Sequence, residues 1–82
     1  MPTSPIPSGI ERITIIPGLC NGKPTIRGLR ITVETVLGYL AAGDSAEDIL
    51  AEYPLLEAED ISACLAFASR MSARRYAVDA AE

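Results

Sequence analysis

Histidine is absent from this 82-residue sequence, and so is tryptophan. Without histidine the chain lacks the usual general base at neutral pH and the commonest metal ligand in proteins. The two cysteines, Cys20 and Cys64, are far apart in the sequence, so neither a zinc site nor a Cys–His nucleophile is expected. The glycines at Gly18, Gly22 and Gly28 do not have the spacing of a phosphate-binding loop. The sequence therefore predicts a protein that is not an enzyme and uses no metal or cofactor.

Clustered carboxylates are scarce, and one group lies before and within the predicted third helix. Glu57, Glu59 and Asp60 lie close together in the sequence, as the ligands of a metal or acid–base site would. They also open a predicted helix, and the N-terminal end of a helix favours negative side chains. We interpret them as helix-start residues.

Long apolar runs are missing too. No stretch approaches the roughly 18 apolar residues that cross a bilayer, and the start MPTSPIPSG lacks the basic and apolar regions of a signal peptide. Two cysteines are fewer than a small secreted scaffold usually carries, so both are expected to be free thiols. These features predict a cytoplasmic protein that does not contact a membrane.

The composition that is present predicts one small folded domain. Hydrophobic residues make up 49% of the chain and charged residues 22%, a balance typical of globular proteins. Residues 1–9 are rich in proline and serine and are predicted to be a disordered tail. Residues 10–78 are predicted to form a single helix-turn-helix-like domain, with a frayed C-terminus at residues 79–82.

The spacing of apolar residues predicts a mainly α fold. Short extended segments near Ile13–Ile16 and Thr25–Ile26, separated by Pro-Gly and Asn-Gly turn signals, indicate a β-ribbon. Apolar residues at helical spacing then predict helices over residues 32–42, 45–53 and 58 to about 76. The apolar side of the third helix is predicted to carry Ile61, Cys64, Leu65, Ala68 and Met71. Thr32 and Ser45 are predicted N-terminal caps, and Gly43 is predicted to end the first helix. The fold class is a three-helix homeodomain-like or helix-turn-helix bundle with a short N-terminal β-ribbon.

Charge is sorted along the chain, although the net charge is −4. Residues 1–31 contain four cationic side chains and one acidic one, whereas residues 32–69 contain eight acidic residues and neither lysine nor arginine. A helix that begins with glutamates is repelled by DNA, so the DNA-binding residues are predicted on the ribbon, at Lys23, Arg27 and Arg30. Alternatively, these cations are solvated turn residues or pair with the acidic helices of the same domain.

The third helix predicts self-association and a second cationic surface. Between residues 61 and 70 it has few polar positions, and a helix that is apolar on most sides is usually buried on most sides, so a homodimer is expected. Arg70, Arg74 and Arg75 cluster near its C-terminal end. They either complement the helix dipole or bind a partner.

Residues 16–33 resemble the signature of the domain of unknown function 433 (DUF433) family, small prokaryotic proteins often described as antitoxin-like. The matching elements are Gly22-Lys23-Pro24, Ile26-Arg27-Gly28 and Arg30-Ile31. In the helical part the matching positions are Gly43, Ile49, Tyr53, Pro54, Leu56, Asp60 and Ile61. The resemblance covers residues 13–68, and it departs from the family pattern at Glu57, where that pattern favours threonine or serine.

The resemblance implies a homeodomain-like bundle, often dimeric, that is paired with a toxin of the PIN-like ribonuclease type. Together with the helix-turn-helix spacing, the resemblance leads us to predict an antitoxin that neutralises this toxin and binds operator duplex DNA as a dimer. Arg70, Arg74 and Arg75 are then the partner-binding residues, because guanidinium groups suit the metal-binding carboxylates of such a nuclease. The alternative is a protein-only interaction or adaptor module without DNA binding.

Overall fold

A computed structural model of the chain describes residues 8–76, with side chains described as far as Ala73. The elements are two strands, β1 (Ile13–Ile15) and β2 (Pro24–Ile26), and three helices, α1 (Val33–Ala41), α2 (Ala46–Glu52) and α3 (Ala58–Tyr76). This confirms the predicted mainly α fold with three helices and an N-terminal β-ribbon. Within the described residues, no helix combines the length and apolar composition needed to cross a bilayer.

The predicted disordered ends fall largely beyond the described part of the chain, because residues 1–7 and 79–82 lie outside it. Two residues assigned to the tail from the sequence are described. The hydroxyl of Ser8 donates to the carbonyl oxygens of Ile10 and Ile13, at 2.8 and 2.7 Å. The carbonyl of Gly9 accepts a hydrogen bond from Arg70. Ser8 and Gly9 therefore join the ribbon to α3.

The β-ribbon is antiparallel and ends in a strained turn. β1 pairs with β2 so that Ile13 lies opposite Ile26. Directly after β2 the chain reverses through Arg27 and Gly28, whose φ angles are +48° and +73°, and the amide of Leu29 donates to the carbonyl of Ile26 at 2.8 Å. Two left-handed residues are the pattern of a type I′ turn, which suits glycine but is unfavourable for arginine by about 1 kcal/mol.

Short-range hydrogen bonds fix the helix ends where the sequence predicted them. Thr32 caps α1 by accepting the amide of Thr35 at 3.1 Å. Gly43, with a φ of +102°, follows the last turn of α1 in the left-handed conformation typical of a helix C-terminus. Ser45 and Asp48 form a reciprocal capping box at the start of α2.

The core lies where the ribbon and the three helices meet. Its buried apolar residues are Ile13, Ile26, Val33, Val36, Ile49, Leu56, Ile61, Ala63, Cys64 and Phe67. The sequence placed Leu65 on the buried stripe of the third helix, and that was wrong, because the Leu65 residue is 51% exposed. The buried line of α3 instead includes Asp60, Cys64 and Phe67, at helical spacing. An inward-facing carboxylate thus helps to set the rotation of α3.

The cap of α2 supplies a direct test of the helix boundaries. Replacing Ser45 with alanine removes the acceptor for the amide of Asp48, and we expect the free energy of unfolding to fall by about 1 kcal/mol in urea denaturation. Ser62→Ala is the matched control, because Ser62 is exposed inside α3. It should leave stability unchanged or slightly higher, and an equal loss in both variants would contradict the assignment.

Candidate binding surfaces

Asp60, in the first turn of α3, is a fully buried charged residue. Arg27 approaches its carboxylate as a fork, with Nε 3.1 Å from Oδ1 and Nη2 2.9 Å from Oδ2. Nη1 of Arg12 lies 2.8 Å from Oδ1, and the backbone amide of Glu57 donates to Oδ2 at 2.8 Å. On folding, hydrogen-bond donors from three separate segments of the chain therefore replace the water molecules around the Asp60 carboxylate.

The contacts of the Arg27 side chain stabilise the strained turn after β2. Nη2 of Arg27 donates to the carbonyl of Leu55 at 2.7 Å, in the loop before α3. The left-handed backbone at Arg27 places one side chain against both this loop and Asp60. Charge-assisted, bidentate hydrogen bonds are among the stronger polar interactions in proteins, and they offset the backbone strain.

Glu57 links the start of α3 to the ribbon. It directly precedes α3, where a threonine or serine would cap the helix. Its carboxylate instead accepts a hydrogen bond from Nη1 of Arg12 at 2.8 Å, with 56% of the side chain exposed. Two arginines and two carboxylates therefore form one cluster without net charge, which we call the Asp60 cluster (Arg12, Arg27, Glu57 and Asp60).

The three residues predicted to bind DNA have different surroundings. Arg27 belongs to the Asp60 cluster, and Nζ of Lys23 lies 3.1 Å from Oε1 of Glu34. The Lys23–Glu34 pair is exposed, so it contributes at most about 1 kcal/mol. Arg30 is exposed and forms no salt bridge with any residue whose side chain is described. Two of the three cations thus pair with acidic residues of the same domain, which is one of the alternatives that the sequence left open.

The predicted partner-binding arginines lie on the C-terminal half of α3. Arg70 is exposed, and its Nη1 donates to the carbonyl of Gly9 at 3.0 Å. Arg74 and Arg75 belong to α3 by their backbone, but their side chains lie outside the described residues. Position 74 follows Arg70 by one helical turn, so the two positions share a face of α3.

Unlike Glu57 and Asp60, the acidic residues on α2 and directly before it are not paired with cations in the described part of the chain. Asp44, Glu47, Asp48 and Glu52 have no salt bridge to any cation that the structure describes. Three of them border a concavity of about 210 Å³ beside Tyr39. In the described part of the chain, no group of three or more side chains has the arrangement of a metal site. This side of the domain is a negatively charged surface.

An open groove between α1 and α3 was missed from the sequence. Its volume is about 380 Å³, and its apolar walls are formed by Pro24, Val33, Leu37, Phe67, Ala68 and Met71. Glu34 is the charged residue at its rim. Met71 remains 39% exposed, although it continues the buried line of α3. The sequence does contain a signal for this groove. α1 and α3 together carry more apolar residues than one small core can bury.

Neither cysteine forms a disulfide within the described residues. Cys64 is fully buried, and burial raises the pKa of its thiol to about 11. Only thiolates are good nucleophiles, so Cys64 is an inert core residue. Cys20 is half-buried in the turn between the strands.

The Asp60 cluster keeps the Asp60 carboxylate ionised. Burial alone would raise the pKa of Asp60, but hydrogen bonds from Arg27, the Glu57 amide and Arg12 outweigh it and lower the pKa from 3.8 to about 2. Because the pKa is lower in the folded chain than in the unfolded chain, ionised Asp60 stabilises the fold above about pH 4. That contribution is lost as the pH falls toward 2.

Asp60→Asn tests this pH dependence. At neutral pH we expect it to lower the free energy of unfolding by about 3 kcal/mol, because two arginines lose a buried charged partner. The difference from wild type should shrink by about 2 kcal/mol between pH 5 and pH 2. Glu59→Gln, at an exposed neighbouring position, is the control and should change little at any pH. A difference for Asp60→Asn that stays constant with pH would contradict the ionised pair.

Comparison with known proteins places this geometry in a family. The family described as "Protein of unknown function (DUF433)" matches residues 13–68. A protein from Sinorhizobium fredii, named "Uncharacterized protein y4eO", is 41% identical over 51 residues, which are 62% of this chain and 23% of that protein. A crystal structure of a DUF433 member protein from Anabaena variabilis superposes with a TM-score of 0.69 at 41% identity, covering 72% of this chain and 58% of the other.

The chain thus spans less than a quarter of the curated relative and little more than half of the solved relative. The family match includes both strands, α1, α2 and the first half of α3. It therefore contains Arg27 and Asp60, the central pair of the Asp60 cluster. Because the family match extends over more than half of the sequence, this chain belongs to the DUF433 family.

Proposed function

We propose that this chain is a protein-binding module of the antitoxin type, which neutralises a PIN-like ribonuclease by direct contact and does not read DNA. The observation that supports a protein partner over DNA is the position of Arg27. Its guanidinium is bound to buried Asp60 at 2.9 Å and is neutralised there. The antitoxin role itself rests on the family resemblance.

The other charged residues of the ribbon and of the start of α3 also favour a protein partner over DNA. A protein binds DNA largely through cations that replace the counterions of several phosphates. On the ribbon, Lys23 is paired with Glu34, and Arg30 alone of the three predicted residues has no described ion pair. A helix-turn-helix reads bases with the first turns of its recognition helix. Here the first turn carries exposed Glu59, and the charge of Glu57 directly before it is offset by Arg12.

The C-terminal half of α3 is the proposed toxin-binding surface. Arg70 is exposed there, and position 74 lies one turn further on the same face. A PIN-like nuclease holds its metal with clustered carboxylates. Arginine suits such a site because its planar fork forms two parallel hydrogen bonds with a carboxylate. One arginine then contacts the metal-binding carboxylates while the other contacts the surface nearby.

Co-expression with a ribonuclease of the PIN-like class that the proposal pairs with this chain tests the toxin-binding surface. Wild type should restore growth, whereas Arg70→Ala/Arg74→Ala and a truncation after Ser69 should lose most of the rescue. Arg30→Ala is the matched control, because Arg30 is an exposed arginine away from α3, and it should rescue fully. Rescue that survives both α3 changes at equal protein levels would overturn the assignment.

Retention on duplex DNA separates the protein-only proposal from the DNA-binding antitoxin. We expect wild type to pass through a duplex-DNA column even at low salt, because the ribbon offers too few free cations. Retention that falls steeply as salt rises, and that Arg27→Ala or Arg30→Ala abolishes, would restore the DNA-binding alternative. Under that alternative, Glu57→Ser/Glu59→Gln should bind DNA at least as well as wild type, because it removes negative charge at the start of α3.

A further inference from the structure

We propose that the turn formed by Ser8 and Gly9 positions the guanidinium group of Arg70 to bind a carboxylate of the partner protein. This inference rests on the proposed function, because it adds Ser8 and Gly9 to the toxin-binding surface of α3. It starts from one contact, in which Nη1 of Arg70 donates to the carbonyl oxygen of Gly9 at 3.0 Å. A carbonyl group has no net charge, so the contact holds Arg70 without neutralising it.

The other cations whose side chains are described are either neutralised or not held. Arg12, Arg27 and Lys23 form salt bridges with acidic residues of the domain. Arg30 is exposed and forms neither a salt bridge nor a side-chain hydrogen bond with any residue that the structure describes. Within the described part of the chain, Arg70 is therefore the one cation that the fold holds while its charge stays available to a partner.

The contact with Gly9 leaves one edge of the Arg70 guanidinium open. Gly9 uses Nη1, and neither Nε nor Nη2 has a hydrogen-bond partner among the described residues. These two atoms form the side edge of a guanidinium group, and Arg27 uses the same two atoms to bind the carboxylate of Asp60. A carboxylate of the partner can bind Arg70 in this way, through two charge-assisted hydrogen bonds.

Glycine at position 9 allows the guanidinium to approach the backbone this closely. A Cβ atom there would lie 2.7 Å from Nη1 of Arg70, closer than Cβ atoms come to other heavy atoms. The φ angle of Gly9 is +85°, which glycine adopts without strain. The hydroxyl of Ser8 fixes the turn by donating to the carbonyl oxygens of Ile10 and Ile13, and Ile13 is buried in β1. The carbonyl of Gly9 is thus anchored to the core.

Holding the guanidinium in advance should raise the affinity for the partner. A long side chain that is mobile before binding loses its freedom at the interface, and this loss weakens binding by about three- to tenfold. The hydrogen bond to Gly9 removes most of this loss before the partner arrives. Ser8 and Gly9 therefore act through Arg70, and they are positioning residues.

NMR relaxation of the arginine Nε–H groups tests the positioning without any partner. In wild type, the Nε–H of Arg70 should be more ordered than that of Arg30. Gly9→Ala should make Arg70 as mobile as Arg30, because the added Cβ displaces Nη1. Gly18→Ala is the matched control, since Gly18 has a φ of +92° but no atom within 4 Å of its Cβ position. Arg70 and Arg30 that are equally mobile in wild type would overturn the proposal.

The dissociation constant for a PIN-like ribonuclease tests what the positioned group does. Gly9→Ala should raise Kd about three- to tenfold, whereas Gly18→Ala should leave it unchanged. In an Arg70→Ala background, Gly9→Ala should have no further effect, because Gly9 acts only through Arg70. Circular dichroism confirms that each variant is folded.

The two backgrounds separate this inference from the proposed function. An equal loss of affinity from Gly9→Ala with and without Arg70 would show a general structural role for Gly9 and overturn the positioning. Wild-type affinity in the Arg70→Ala variant would instead refute the toxin-binding surface, and the carboxylate-binding role of Arg70 with it.

Discussion

A carboxylate that is removed from water loses its hydration, and at Asp60 hydrogen bonds from three segments replace it. Arg12 precedes β1, Arg27 follows β2, and the Glu57 amide lies directly before α3. Because breaking such a buried pair leaves uncompensated charges, the ribbon and the third helix are held in one relative position. The inward direction of Asp60 also accounts for the side of α3 that faces the core.

The same interaction decides which charges are available to partners. Arg12 and Arg27 are the cations closest to the acidic start of α3, and both are neutralised there. The ribbon that looks basic in sequence is therefore mostly neutral as a surface. What remains accessible is a negative side at α2, an apolar groove bordered by Glu34, and the exposed cations Arg30 on the ribbon and Arg70 on α3. These surfaces suit protein partners better than a polyanion.

Much of the fold could be predicted from the sequence because helix periods and caps are local signals. Thr32 and Ser45 cap their helices through residues only three positions away. The Asp60 cluster could not be found in this way, since Arg27 and Arg12 are 33 and 48 positions from Asp60. An acidic residue in the first turn of a helix has a sufficient local explanation in the helix dipole. The exposure of Leu65 was missed for the same reason, because the rotation of α3 depends on this long-range pairing.

The ionisation of Asp60 inside the folded domain is the central claim, and NMR measures it directly. The carboxyl carbon shift of Asp60, followed against pH in the folded protein, should give a pKa of about 2. A pKa for Asp60 at or above its ordinary value of 3.8 would show that the arginines do not hold the carboxylate as described, and the account would fail.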